Sequence, residues 1–246
     1  MARYRNLRST LFIVASLGLA GCGSSDDDSS DGGESAAGGS LGRGGENSGQ
    51  DDEPIACEDG RGFATEVISF EFGEGQDFGQ DDFPESVLGG PEGGGCCSGS
   101  LAVTSLGDGG TLVLGFGERV IIDGPGADFI VFENAFAAGG PDGDVFVELG
   151  QVSVSEDGET WLDFSCKAAE APPYGTCAGW RPVHANVSSD AADPFDPETA
   201  GGDAFDLSEV GLSEARYVRV TDVKGDDAVF DLDAVSVVNH RCEALN

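Results

Sequence analysis

An all-β fold, a disulfide-stapled β-sandwich behind a disordered tether, follows from three features of this sequence. Apolar stretches are short, rich in Val, Ile and Phe, and parted by Gly, Asp and Pro turns. No amphipathic helix longer than two turns is readable. Forty glycines and ten prolines punctuate the chain. The stretch 57–246 holds about 190 residues, enough for one domain with a continuous core.

The chain opens with Arg3, Arg5 and Arg8, an apolar run from Leu11 to Leu19, and Ala20 and Gly21 before Cys22. A basic start and a short apolar stretch make an export signal at 1–21, too short to span a bilayer as a mature helix. Leu19-Ala20-Gly21-Cys22 resembles the bacterial lipobox. That resemblance implies cleavage before Cys22, a diacylglyceryl group on its thiol and a membrane anchor. The glycine after Cys22 is similar to that of lipoproteins passed on to an outer membrane or cell surface. From 22 to 56 the sequence is Gly, Ser, Asp and Glu with almost no apolar content, which predicts a flexible tether. Asp26, Asp27 and Asp28 belong to that solvated tether.

Strands are expected at 66–72, 100–106, 111–116, 120–122, 128–133, 145–149, 151–155, 160–164, 216–222 and 231–238. The glycine-rich turn between Leu106 and Thr111 predicts one hairpin, and Asp157-Gly158 tips another. Gly150 marks a bulge or a strand change. Trp161, beside the second hairpin, is expected in the core.

Three of the 12 basic residues leave with the signal, so nine face 46 acidic ones, a formal charge of −37. Such a surface repels nucleic acid and anionic lipid, which argues against a nucleic-acid partner. It attracts hard cations, of which calcium is abundant outside cells. Beyond Cys22 there are six cysteines: Cys57, Cys96, Cys97, Cys166, Cys177 and Cys242. An even number in an exported chain reads as a disulfide framework. The absence of a Cys-x-x-Cys pair and the presence of only two histidines weigh against zinc. Cys96 and Cys97 are expected to reach different partners, because bridging neighbours strains the peptide between them.

Two fragments, VSVSEDGETW at 152–161 and ARYVRV at 215–220, resemble discoidin (galactose-binding-like) modules. The resemblance implies a jelly-roll sandwich with disulfide-stapled termini, and so a pairing of Cys57 with Cys242. A wider resemblance runs in order across almost the whole domain. It rests on FGQDDFPESVLGGP (78–91), TLVLGFG (111–117), DGPGADFIVFENAF (123–136), AGGDAFDLSEVGL (200–212) and FDLDAVSVVN (230–239). These motifs resemble an uncharacterised group of bacterial cell-surface proteins and lipoproteins. That likeness implies location and fold, and it brings no activity and no functional residues.

The candidate ligands are carboxylates. Alternation along 231–238 puts Asp231, Asp233, Val235 and Val237 on one face, with the two acids about 7 Å apart. If the valines enter the core, the acids need a cation, an arginine such as Arg216 or Arg219, or backbone amides. In 123–136, Asp123 opens a tight turn, Asp128 starts a strand and Glu133-Asn134 ends it. Asp142, Asp144, Asp203 and Asp206 lie in glycine-bearing loops that can close around the same ion. The expected calcium ligands are Glu133, Asn134, Asp206, Asp231 and Asp233, without the ligand order of an EF-hand.

The loop from Cys166 to about Asp206 is long enough to suggest function. In it Tyr174 and Trp180 can stack on a sugar ring while Asn186 bonds hydroxyls. The alternative is that Trp180 anchors a loop held by a disulfide. No nucleophile elbow, His-Glu-x-x-His pair, Walker loop or dinucleotide fingerprint occurs. Acids are so abundant that no carboxylate pair is singled out for glycoside hydrolysis. The sequence therefore predicts a lipid-anchored, noncatalytic, calcium-stabilised binding or adhesion module for a glycan or surface protein. Its rivals are an extracellular hydrolase with acidic catalytic residues and a structural envelope protein without a discrete ligand.

Overall fold

The computed structural model describes residues 62–189, 191–225 and 228–243. The signal, Cys22, the tether and Cys57 lie outside the described residues. The first strands are Gly62–Phe63 (β1), Glu66–Glu71 (β2), Thr104–Ser105 (β3), Thr111–Gly115 (β4), Arg119–Ile122 (β5) and Phe129–Phe132 (β6). Then come Phe136–Ala138 (β7), Asp144–Phe146 (β8), Gly150–Ser155 (β9), Leu162–Asp163 (β10), Cys177–Ala178 (β11) and Asp203–Phe205 (β12). Glu214–Ala215 (β13), Tyr217–Asp222 (β14), Asp231–Leu232 (β15), Ala234–Val237 (β16) and His240–Cys242 (β17) complete the order.

Of the two largest sheets, one runs β1-β16-β6-β12 and the other β10-β9-β14-β4-β2, with β11 also on β9. From β4 onward β4, β9 and β14 of one alternate along the chain with β6, β12 and β16 of the other, while β5 pairs with β13 and β17 in a separate three-stranded sheet. This is the jelly-roll pattern of an all-β sandwich. Alternation is clear in β14, where Val218 and Val220 are buried and Tyr217, Arg219 and Thr221 are half-exposed. Their inward partners are Leu112, Leu114, Val152 and Val154. Phe129, Val131, Phe205, Val235 and Val237 meet them from the facing sheet. Phe205 stacks on Phe129 at 5.1 Å and meets Phe164 edge-on at 4.9 Å.

Strands β6 and β16 are buried on both faces. The reason is a third layer: Val183, Ala185 and Ala200 of the long loop cover Ile130, Phe132 and Ala234. A continuous apolar run, Phe129-Ile-Val-Phe132, is what a strand covered on both sides requires. Cys166 and Cys177 are bonded to each other where this cover begins.

Several expectations are corrected. Cys96 and Cys97 pair with each other, not with separate partners. Glycines flank them at 93–95 and 99, and Gly95 takes a left-handed φ of 82°, so the backbone has the freedom to close that small ring. Cys242 is disulfide-bonded; its expected pairing with Cys57 falls on a residue outside the described set. The 106–111 turn is not a hairpin, because β3 pairs with β15 while β4 pairs with β14 and β2. The second hairpin does form, with Leu162 opposite Val154. Gly150 is a strand change, since β8 pairs with β7 and β9 lies in the larger sheet. Trp161 is half-buried under the Arg219 guanidinium, 4.4 Å from its ring centre, rather than in the core.

Phe205→Ala should cost about 3–5 kcal/mol, because it opens a cavity where the two sheets interlock. Urea denaturation should show an earlier midpoint with an unchanged slope.

Candidate functional site

The expected ligands fall into three places. At the first, Glu133 at the end of β6, its neighbour Asn134 and Asp231 of β15 come together with Glu148, which precedes β9. Glu133 is 2% exposed, and neither carboxylate oxygen has a hydrogen-bond partner. The Asn134 main-chain amide approaches it short of hydrogen-bond geometry. Burial pushes the Glu133 carboxyl well above its usual range, and the adjacent Glu148 and Asp231 charges add to this.

Glu148 is 8% exposed and accepts one long bond, 3.4 Å, from the Val229 amide. Burial first, then the Asp231 charge, raises it to about 7. Asp231 accepts from the Ser105 hydroxyl at 2.5 Å. Its carboxyl is raised by burial, with Ser105 and the Asn134 side chain opposing. The Asn134 side-chain oxygen also takes the Ser100 amide, at 2.5 Å. Glu148 was not expected, and only its place before the Gly150 strand change hinted at it.

At the second place Asp123, Asp128 and Asp206 lie with carboxylate oxygens within 4.8 Å of one another, so they could hold a metal ion. Asp128 is buried at the entry to β6. One of its oxygens accepts from the Gly124 amide and the Asn239 side chain, both at 2.9 Å, and the other from the Leu207 amide at 2.8 Å. Asp206 caps the 3-10 turn Leu207–Glu209 through the Ser208 amide. Asp123 is exposed. Of the expected ligands, Asp206 thus joins Asp128 and not Glu133.

Asp233 stands at a third place, 3% exposed, with both oxygens on the Glu92 amide at 3.0 and 3.2 Å. The expected sharing of a face with Asp231 fails because the chain changes sheets at Asp233. Leu232 lies in the same core as Val235 and Val237, so the alternation slips by one residue there. The arginine alternative is not used either. Arg216 pairs with Glu243 and Glu214, and Arg219 with Asp163. Asp142 and Asp144 are exposed. Asp203 instead takes the Gly179 and Trp180 amides at 2.7 and 3.1 Å.

The aromatic loop is pinned from within. Tyr174 meets Trp180 edge-on at 6.2 Å, Arg181 lies over the Trp180 ring, and the indole N–H donates to Cys177. Both aromatics are half-buried, as the anchoring alternative requires. Asn186 is engaged elsewhere, donating to Gly93 and accepting from Ser188. It lines an open groove of about 630 Å³ with Glu92, Ser100 and Leu101. His184 and His240 are exposed. No protein-family model matches the chain, and no curated protein does.

Burial raises Asp233 to about 8 and Asp203 to about 7. Both keep a proton in the folded chain at pH values where the unfolded chain has lost it. Their contribution to stability is therefore complete below about pH 4 and is lost as pH rises toward 7 and 8. In chelator, denaturation should show stability falling over that window. Asp233→Asn, which needs no proton, should exceed the parent at the upper end by about 1 kcal/mol or more.

Proposed function

We propose that this chain is a lipid-anchored cell-surface protein, a noncatalytic binding or adhesion module for a glycan or surface protein, stabilised by calcium. The observation that carries the reading is the convergence of Asp123, Asp128 and Asp206. An ion there would clamp the turn that enters β6 to the 3-10 turn that follows β12. All the donors are hard oxygens on loop ends, which suits calcium and its tolerance of irregular coordination. The lipobox-like Leu19-Ala20-Gly21-Cys22 supports the anchor, and the acidic tether supports display away from the membrane. The groove beside Asn186 is the surface offered to a ligand. Glu133 and Glu148 are enclosed, which suits a structural role better than contact with a polymeric substrate.

EDTA should lower the melting temperature of the full chain, and added calcium should restore it. Asp123→Asn combined with Asp206→Asn should reduce that recovery. A melt indifferent to EDTA overturns the calcium reading. Glycan-array binding that disappears in EDTA would support the ligand class, and an array without calcium-dependent hits would favour the structural envelope protein.

A further inference from the structure

We propose that Glu133, Glu148 and Asp231 form a second, buried site for one hard divalent cation, separate from the Asp123 group and sharing no residue with it. Glu133 sets the requirement. A carboxylate removed from water needs a donor, a proton, a trapped water or a cation, since enclosure without any of these is strongly unfavourable. Neither Glu133 oxygen has a partner at hydrogen-bond geometry, and the groups nearest to it are the Asn134 amide and the Glu148 carboxyl. The polar groups around the cluster are already committed: the Ser105 hydroxyl to Asp231, the Val229 amide to Glu148, and the Asn134 side-chain oxygen to Ser100.

A water would leave three acids repelling one another. A proton shared between the Glu133 and Glu148 carboxyls would serve one oxygen of each and leave their other oxygens and Asp231 unanswered. A divalent cation answers the whole group at once, because three carboxylates offer up to six oxygens to an ion that takes six to eight.

The surrounding charge points the same way. Asp222 acts on Glu148 and Asp77 on Asp231, both carboxylates, and no basic side chain is among the groups acting on the three acids. Arg216 and Arg241 are bound up with Glu214 and Glu243, Arg219 with Asp163, and Arg181 with Asp203. The Asp123 group is already gathered within 4.8 Å and this one is not. An ion would draw the long Glu133 and Glu148 side chains inward and complete its shell with water. It would then join the end of β6 in one sheet to the segment entering β9 in the other, with β15 as the third attachment.

The test counts calcium ions bound per full-length chain near neutral pH by equilibrium dialysis, alongside thermal melts. Glu133→Gln and Glu148→Gln should each lose one equivalent and part of the calcium-induced rise in melting temperature. Asp123→Asn with Asp206→Asn should retain that equivalent. Glutamine has the shape of a protonated glutamate. If Glu133→Gln keeps the parent's stoichiometry and calcium response, Glu133 carries a proton and the proposal is overturned. Should both glutamine variants fail to fold, the aspartate double variant still decides. One remaining equivalent supports the buried site, and none overturns it.

Discussion

Contact between the two apolar sheet faces holds everything else in place, because it must keep compact a chain whose formal charge is −34. Self-repulsion of that size opposes folding. The valines and leucines of β4, β9 and β14, and the phenylalanines of β6 and β12 with Phe164, supply the opposing force. Each such side chain, fully enclosed, contributes about 1.5–3 kcal/mol. Only with the strands locked at this seam are their ends fixed well enough to hold acids in defined positions. Glu133 is buried because it follows Phe132 directly, and Asp128 because it precedes Phe129.

The outer layer has a different logic. One sheet is covered by the segment that carries Val183, Ala185 and Ala200, while the other leaves Arg219, Trp161 and Tyr217 on its outer face. The cover is held by the Cys166–Cys177 bond, by Asp203 on the Gly179 and Trp180 amides, and by Trp180 itself. These polar ties do the work that a helix does in many layered folds. They also draw Tyr174 and Trp180 into contacts within their own loop.

What could be read beforehand follows the physics of periodicity. The runs at 111–116, 151–155 and 216–222 carry an alternating or unbroken apolar signal, and β4, β9 and β14 lie there. Strands β11, β12, β13 and β17 have two or three residues, too few for a period, and exist only because a neighbour offers an edge. Glu133, Asn134 and Asp231 were legible as acids and amides at strand ends. Their meeting with Glu148 was not, because it depends on where two sheets end relative to each other. The one-residue slip at Asp233 was equally hidden, since sequence alternation assumes an unbroken strand. Asp128, noticed only as the start of a strand, proved to be the tie for three separate segments.

The alternation of strands between sheets bears on how the chain reaches its shape. Gly62 sits opposite Val237, and Ser105 opposite Asp231, so early and late residues depend on each other directly. Neither half of the domain can close a core alone, and no helix longer than a three-residue 3-10 turn occurs among the described residues. Long-range pairing of this kind delays folding until most of the polypeptide is present. A nascent chain that stays open until its last strand emerges is in a state fit to be threaded through a translocation channel.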